Sequence, residues 1–122
     1  MRPDHLLLED MLEAIHEVIE CTPATREAFD TDRFRRSHLL RQIQVIGEAV
    51  WRLSASLKNN HGAVPWRQIA GMRHALVHDY FEVDWNEVYN VVVREIPALK
   101  APIQAILNSL PSEESLNTRG GY

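Results

Sequence analysis

Apolar residues along this chain recur at steps of three and four, and no segment alternates as a half-buried strand would, so the pattern predicts helices throughout. Leu8, Leu12, Ile15 and Ile19 form one inward stripe over residues 5–21, with Asp4 as the expected cap and Cys21-Thr22-Pro23 as the break. A short turn leads through Phe29. Thr31 or Asp32 then opens a long second helix reaching about Lys58, with Leu39, Ile43, Ile46, Val50, Leu53 and Leu57 facing in. Arg41, Gln44, Glu48 and Arg52 occupy a different face of it. Gly47 sits mid-helix, where it costs about 1 kcal/mol relative to alanine. Either another backbone comes close there or the cost is simply tolerated.

After the loop Asn59-Asn60-His61-Gly62, Pro65 suits the first position of a third helix. That helix carries Trp66, Ile69, Met72, Leu76 and Val77 and should end near His78 to Tyr80. Asp84 followed by Glu87 reads as a capping arrangement for a fourth helix, to about Glu95, with Trp85, Val88 and Val92 inward. Pro97 and Pro102 should kink or restart it, and Leu99, Ile103, Ile106 and Leu110 continue the stripe. Residues 111–122 read as a disordered tail. The expectation is an all-α, antiparallel bundle of four to five helices over residues 1–110.

Composition narrows this only a little. A chain of 122 residues, 45% hydrophobic and 25% charged, suits one globular domain. No apolar run is long enough to cross a bilayer and no leader pattern opens the sequence, which points to a cytoplasmic protein without membrane partners. The single Cys21 excludes an internal disulfide and a cysteine-rich zinc site.

Charge changes the picture more. The net charge of -4 argues against a nucleic-acid partner until it is resolved along the chain. The segment before Arg33 carries Asp4, Glu9, Asp10, Glu13, Glu17, Glu20, Glu27, Asp30 and Asp32 against Arg2 and Arg26. The next segment carries Arg33, Arg35, Arg36, Arg41 and Arg52 against Glu48 alone. Such an arginine-rich surface can attract phosphate whatever the total. It can equally be a solvated face paired with the acidic helix.

The densest chemistry is Arg73-His74-Ala75-Leu76-Val77-His78-Asp79-Tyr80. Arginine presents a permanent, forked cation to phosphate oxygens, and histidine exchanges a proton near neutral pH. His74 and His78 are four apart, about 6 Å along one helix face. That is also metal-ligand spacing, but no third ligand completes the face, so no metal is assigned and no cofactor is expected. Arg73 and His78 are five apart, roughly 140° around a regular helix. Their convergence needs an unwound last turn, a curled arginine, or a second copy of the chain contributing to the same cleft. Residue by residue, other roles stay open: His78 at a helix C-terminus, Arg73 paired with Asp79 or Glu82, Tyr80 as an anchor.

Several segments together resemble the HEPN superfamily, and specifically the HepT-like ribonuclease toxins. Arg73 and His78 with Tyr80 fit the R-X4-H-X-Y pattern. Ile46-Gly47-Glu48-Ala49, Pro65-Trp66 with Ile69-Ala70-Gly71-Met72-Arg73, Tyr80-Phe81 with Val83-Asp84, and Ile96-Pro97-Ala98-Leu99 extend the likeness over roughly residues 4–108. His74 stands where many relatives carry asparagine; there it could orient His78 or contact the phosphate.

The resemblance implies a helical bundle acting as a homodimer, with Arg73 and His78 of both subunits in one cleft. It implies metal-independent endonucleolytic cleavage of RNA. It also implies an MntA-like nucleotidyltransferase antitoxin that transfers AMP to Tyr80. Glu48 and Arg41 are placed at the cleft by position, with Glu48 expected to hold Arg73 or Arg41. The alternative is a non-catalytic module that binds a nucleotide or the nucleotidyltransferase in the same cleft.

Overall fold

The computed structural model describes residues 2–77 and 82–111. His78, Asp79, Tyr80 and Phe81, and the expected tail from Ser112 onward, lie outside the described residues. The architecture is all-α. Helix α1 spans Asp4–Cys21, α2 Arg26–Thr31, α3 Arg33–Arg52, α4 Ala55–Asn60, α5 Trp66–Ala70, α6 Met72–Leu76 and α7 Trp85–Asn90. A single π-helical turn, Val91–Glu95, joins α7 to α8, Ile96–Ser109. Among the described residues the only β feature is an isolated bridge between Val77 and Val83.

The bundle is organised around α1 and α3. Helix α1 packs on α3 and α8, and α3 also carries α5 and α6 on its other flank. Leu8, Met11, Ile15 and Val18 of α1 meet Leu39, Ile43, Ile46 and Val50 of α3 and Ile96 and Ile103 of α8 in one core with no buried polar residue among those described. Each such fully buried side chain contributes roughly 1.5–3 kcal/mol. Phe29 of α2 is fully buried, edge-on to Tyr89 with ring centroids 5.1 Å apart.

Local chemistry departs from the expected elements at several points. Asp4 does not cap α1. Pro3 takes the cap position, and the Asp4 carboxylate instead accepts from the backbone N–H and the hydroxyl of Ser54, at 2.9 and 2.6 Å. The Ser54 hydroxyl in turn accepts from Leu57 N–H and starts α4. With the Ser54 N–H given to Asp4, the helical ladder stops at Arg52, and the long second helix becomes α3 and α4. Its inward stripe survives the break: Leu39, Ile43, Ile46, Val50, Leu53 and Leu57 are all buried.

Ile19 is 41% exposed, and Leu7, Met11 and Val18 join Leu8, Leu12 and Ile15 in the stripe. Helix α1 lies between α3 and α8, so its buried arc is wider than one row and turned away from Ile19. Asp32 caps α3 and Asp84 caps α7, each accepting from the N–H three residues on, at 3.0 and 3.1 Å. Pro65 is itself the cap of α5 rather than its first residue. Pro97 has no N–H for an α-type bond. Just before it, Ile96 N–H reaches back to Val91 C=O in the π turn, and α8 then runs on through Pro102.

Gly47 marks the closest approach of two elements. A Cβ there would lie 3.3 Å from the carbonyl oxygens of both Ile69 and Ala70. The glycine therefore lets the end of α5 sit directly on α3. Gly47→Val is expected to destabilise the protein by about 2 kcal/mol through overpacking. Gly47→Ala should stay close to neutral, because better helix propensity offsets the crowding. Urea unfolding of both variants checks this.

Candidate active-site groove

The seating of α5 on α3 creates a groove of about 640 Å³ between them. From α3 come Gln44, Glu48, Trp51 and Arg52, spaced at four, three and one, which is one outward face of that helix. From the other side come Arg67 of α5 and Arg73 and His74 of α6, with Ala70 and Gly71 forming the floor beside Gly47. Gly71 separates two short helical segments, and α6 ends at Leu76, two residues before His78. Asp84 N–H donates to Leu76 C=O at 2.8 Å, beside the Val77–Val83 bridge.

Arg73 and His74 are exposed in the last turn of α6, and the backbone C=O of Arg73 accepts from Val77 N–H at 2.9 Å. Neither side chain has a hydrogen-bond or ion-pair partner among the described residues, and the same holds for Arg52 and Arg67. Three guanidinium groups are thus left with donors free toward one groove. Glu48 stands on the same wall, where its carboxylate accepts from Gln44 Nε2 at 3.2 Å rather than from Arg73 or Arg41. Arg41 is exposed on α3 but does not line the groove. His78 and Tyr80 lie outside the described residues.

A family model for HepT-like ribonucleases matches residues 11–106. The chain belongs to the HepT-like ribonuclease family. It is 35% identical over 100 residues to a protein named probable ribonuclease HepT of Thermococcus cleftensis, covering 81% of this chain and 91% of that one. It is 33% identical over 108 residues to a candidate RNase of Caldanaerobacter subterraneus, covering 88% of this chain and 96% of the relative. It also matches a Methanocaldococcus jannaschii protein named as a gamma-glutamylcyclotransferase and candidate RNase, 33% identical over 117 residues, of which it spans 53%. No solved structure matches.

The groove of this HepT-like chain contains two residues that the sequence pattern did not single out. Trp51 is 78% exposed on its rim. Its position one residue off the row Ile43, Ile46, Val50 and Leu53 was the available signal, since an aromatic outside a buried stripe faces solvent. Arg67 was hidden in a segment recognised for its apolar residues.

Directly behind α3 lies a second groove, against α1, of opposite character. It is lined by Asp10, Glu13 and Glu17 with Gln42 and with Arg2, whose guanidinium pairs with Asp10 at 2.7 Å, and it shares Glu48 and Arg52 with the first. The arginine-rich and acid-rich segments are therefore not simply neutralising one another. The Arg35–Asp32 contact at 3.6 Å lies within one turn at the start of α3, and Arg36 stacks over Trp85 at 4.8 Å.

A groove holding unpaired guanidinium groups binds a polyanion through counterion release. Affinity for a single-stranded, 2′-O-methylated oligonucleotide is expected to fall steeply with salt. Arg67→Ala should weaken binding and lower the log–log salt slope by about 0.7, the value for one phosphate contact on a single strand. Fluorescence anisotropy over a salt series checks both.

Proposed function

We propose that this protein is a metal-independent endoribonuclease and the toxin of a toxin–antitoxin pair. The observation that carries the reading is the groove in which Arg52 of α3, Arg67 of α5, and Arg73 and His74 of α6 stand without partners among the described residues. Membership of the HepT-like ribonuclease family supports it.

Cleavage proceeds by attack of the RNA 2′-hydroxyl on its own phosphate. A base takes the hydroxyl proton, the 2′-oxygen bonds to phosphorus, and the 5′-oxygen leaves with a proton from an acid. The products are a cyclic phosphate and a free 5′-hydroxyl. His78 serves as acid or base, a role worth roughly 10²–10⁴ in rate. Arg73 holds the phosphate and offsets the charge that builds on it. His74 contacts the same phosphate or orients His78. Trp51 offers its indole face to a neighbouring base, a stacking contact that tolerates any sequence. Because the nucleophile is the 2′-hydroxyl, DNA is not cut.

One copy supplies a single His78, and an acid paired with a base calls for two such histidines. A homodimer joining two such grooves across a twofold axis provides them. A nucleotidyltransferase antitoxin then silences the site by transferring AMP from ATP to the Tyr80 hydroxyl, which gives up its proton as pyrophosphate leaves. The added phosphates are anionic and bulky and compete with RNA for the same guanidinium groups.

Arg73→Ala and His78→Ala are each expected to lower RNA cleavage by at least about 10², with dimer mass and helicity unchanged. Cleavage that persists in both variants would overturn the assignment. Nucleotide binding without cleavage by the unmodified wild type would instead favour a non-catalytic module.

Incubation with the cognate nucleotidyltransferase and ATP should add AMP units that map to Tyr80 by peptide mass spectrometry. Tyr80→Phe should remain unmodified and toxic. Modification at another residue would move the regulatory site.

A further inference from the structure

Away from the groove, three chemically different side chains converge where the end of α1 crosses the start of α3. Glu17 and Cys21 stand one turn apart on α1, and His38 reaches them from the second turn of α3. One carboxylate oxygen, Glu17 Oε1, is 3.0 Å from His38 Nε2 and 3.6 Å from Cys21 Sγ. All three donor atoms lie within 4.8 Å of one another, and all three residues are half-buried. Among the described residues no other group of three such side chains does this.

We propose that Glu17, Cys21 and His38 form a zinc site that clamps α1 to α3. Zinc favours this mixture of thiolate, imidazole and carboxylate, with bonds of roughly 2.0 to 2.3 Å in tetrahedral geometry. Those lengths require donor atoms about 3.5 Å apart. The two edges to Glu17, 3.0 and 3.6 Å, bracket this length, and the third is no longer than 4.8 Å. A fourth position stays open to water.

The local field favours a cation. Glu17 and Glu20 act on Cys21 from α1, and Arg35 from α3 opposes them. Without metal, partial burial and then Glu17 push the Cys21 thiol up from its ordinary value, so it keeps its proton and donates to Glu17. Binding displaces that proton to solvent as the zinc–sulfur bond forms.

The alternative, an exposed ion pair with a cysteine beside it, accounts for the Glu17–His38 contact alone. It gives no reason for a thiol on the same oxygen. Along α3 the site is about 20 Å from Trp51, so the clamp stands apart from the proposed ribonuclease groove.

The test uses purified, metal-stripped full-length protein with cobalt as a spectroscopic probe and zinc as competitor. Cobalt should produce a thiolate charge-transfer band and the visible bands of a tetrahedral ion, both abolished by stoichiometric zinc. Cys21→Ser should remove the charge-transfer band, and His38→Asn should weaken binding at least tenfold. Zinc in excess should raise Tm by several degrees in the wild type and in neither variant. RNA cleavage by Cys21→Ser should match the wild type. Absence of the thiolate band at micromolar cobalt, or zinc binding that survives both substitutions, would overturn the proposal. Both variants retain the apolar core, and circular dichroism confirms that each is folded before metal is added.

Discussion

The close crossing of α3 and α5 at Gly47 is the constraint on which the groove depends. With the carbonyl oxygens of Ile69 and Ala70 at the distance where a Cβ begins to crowd them, the two backbones are as near as packing allows. That contact brings Arg67, Arg73 and His74 beside Gln44, Glu48, Trp51 and Arg52. A larger side chain at position 47 would hold α5 and α6 off and widen the groove. The energetic cost of a mid-helix glycine is thus linked to the placing of the guanidinium groups, which joins a backbone propensity directly to the candidate chemistry.

A second link runs through Asp4 and Ser54. One carboxylate holds both the N–H and the hydroxyl of Ser54, which ends α3 at Arg52 and redirects the chain into α4. The turn at residues 61–64 then receives the indole N–H of Trp66 on His61 C=O at 3.0 Å. The start of α5 is fixed by this bond as its end is fixed by Gly47. Two polar contacts and one close backbone approach therefore set the position of a helix only five residues long, too short to be stable by itself.

Periodicity carried most of the fold because burial, which it reports, is what the bundle is made of. The row Leu39, Ile43, Ile46, Val50, Leu53 and Leu57 was legible even though the helix breaks within it, since both pieces keep the same side toward the core. The break was not legible, because it depends on an acceptor fifty positions away at Asp4. Ile19 misled for a related reason: α1 touches two helices, and the arc they cover is set by tertiary packing. The approach of a backbone at Gly47 could be raised from sequence as one of two options, and the structure decides for it. In the candidate site, the segment around Arg73 stood out by its chemistry. Trp51 and Arg67 did not, because only the crossing makes them neighbours. The cluster of Glu17, Cys21 and His38 was equally hidden, its members lying on two helices that only tertiary packing brings together.

The two troughs flanking α3 share Glu48 and Arg52 on the crest between them. On one side stand the unpaired Arg67 and Arg73, on the other Asp10, Glu13 and Glu17, with Arg2 paired to Asp10. Under the proposed reading the crest acts as a watershed for a strand bearing phosphates, which settles on the slope that holds the unpaired guanidinium groups. On that reading, a protein of negative net charge still offers nucleic acid a single lane of approach.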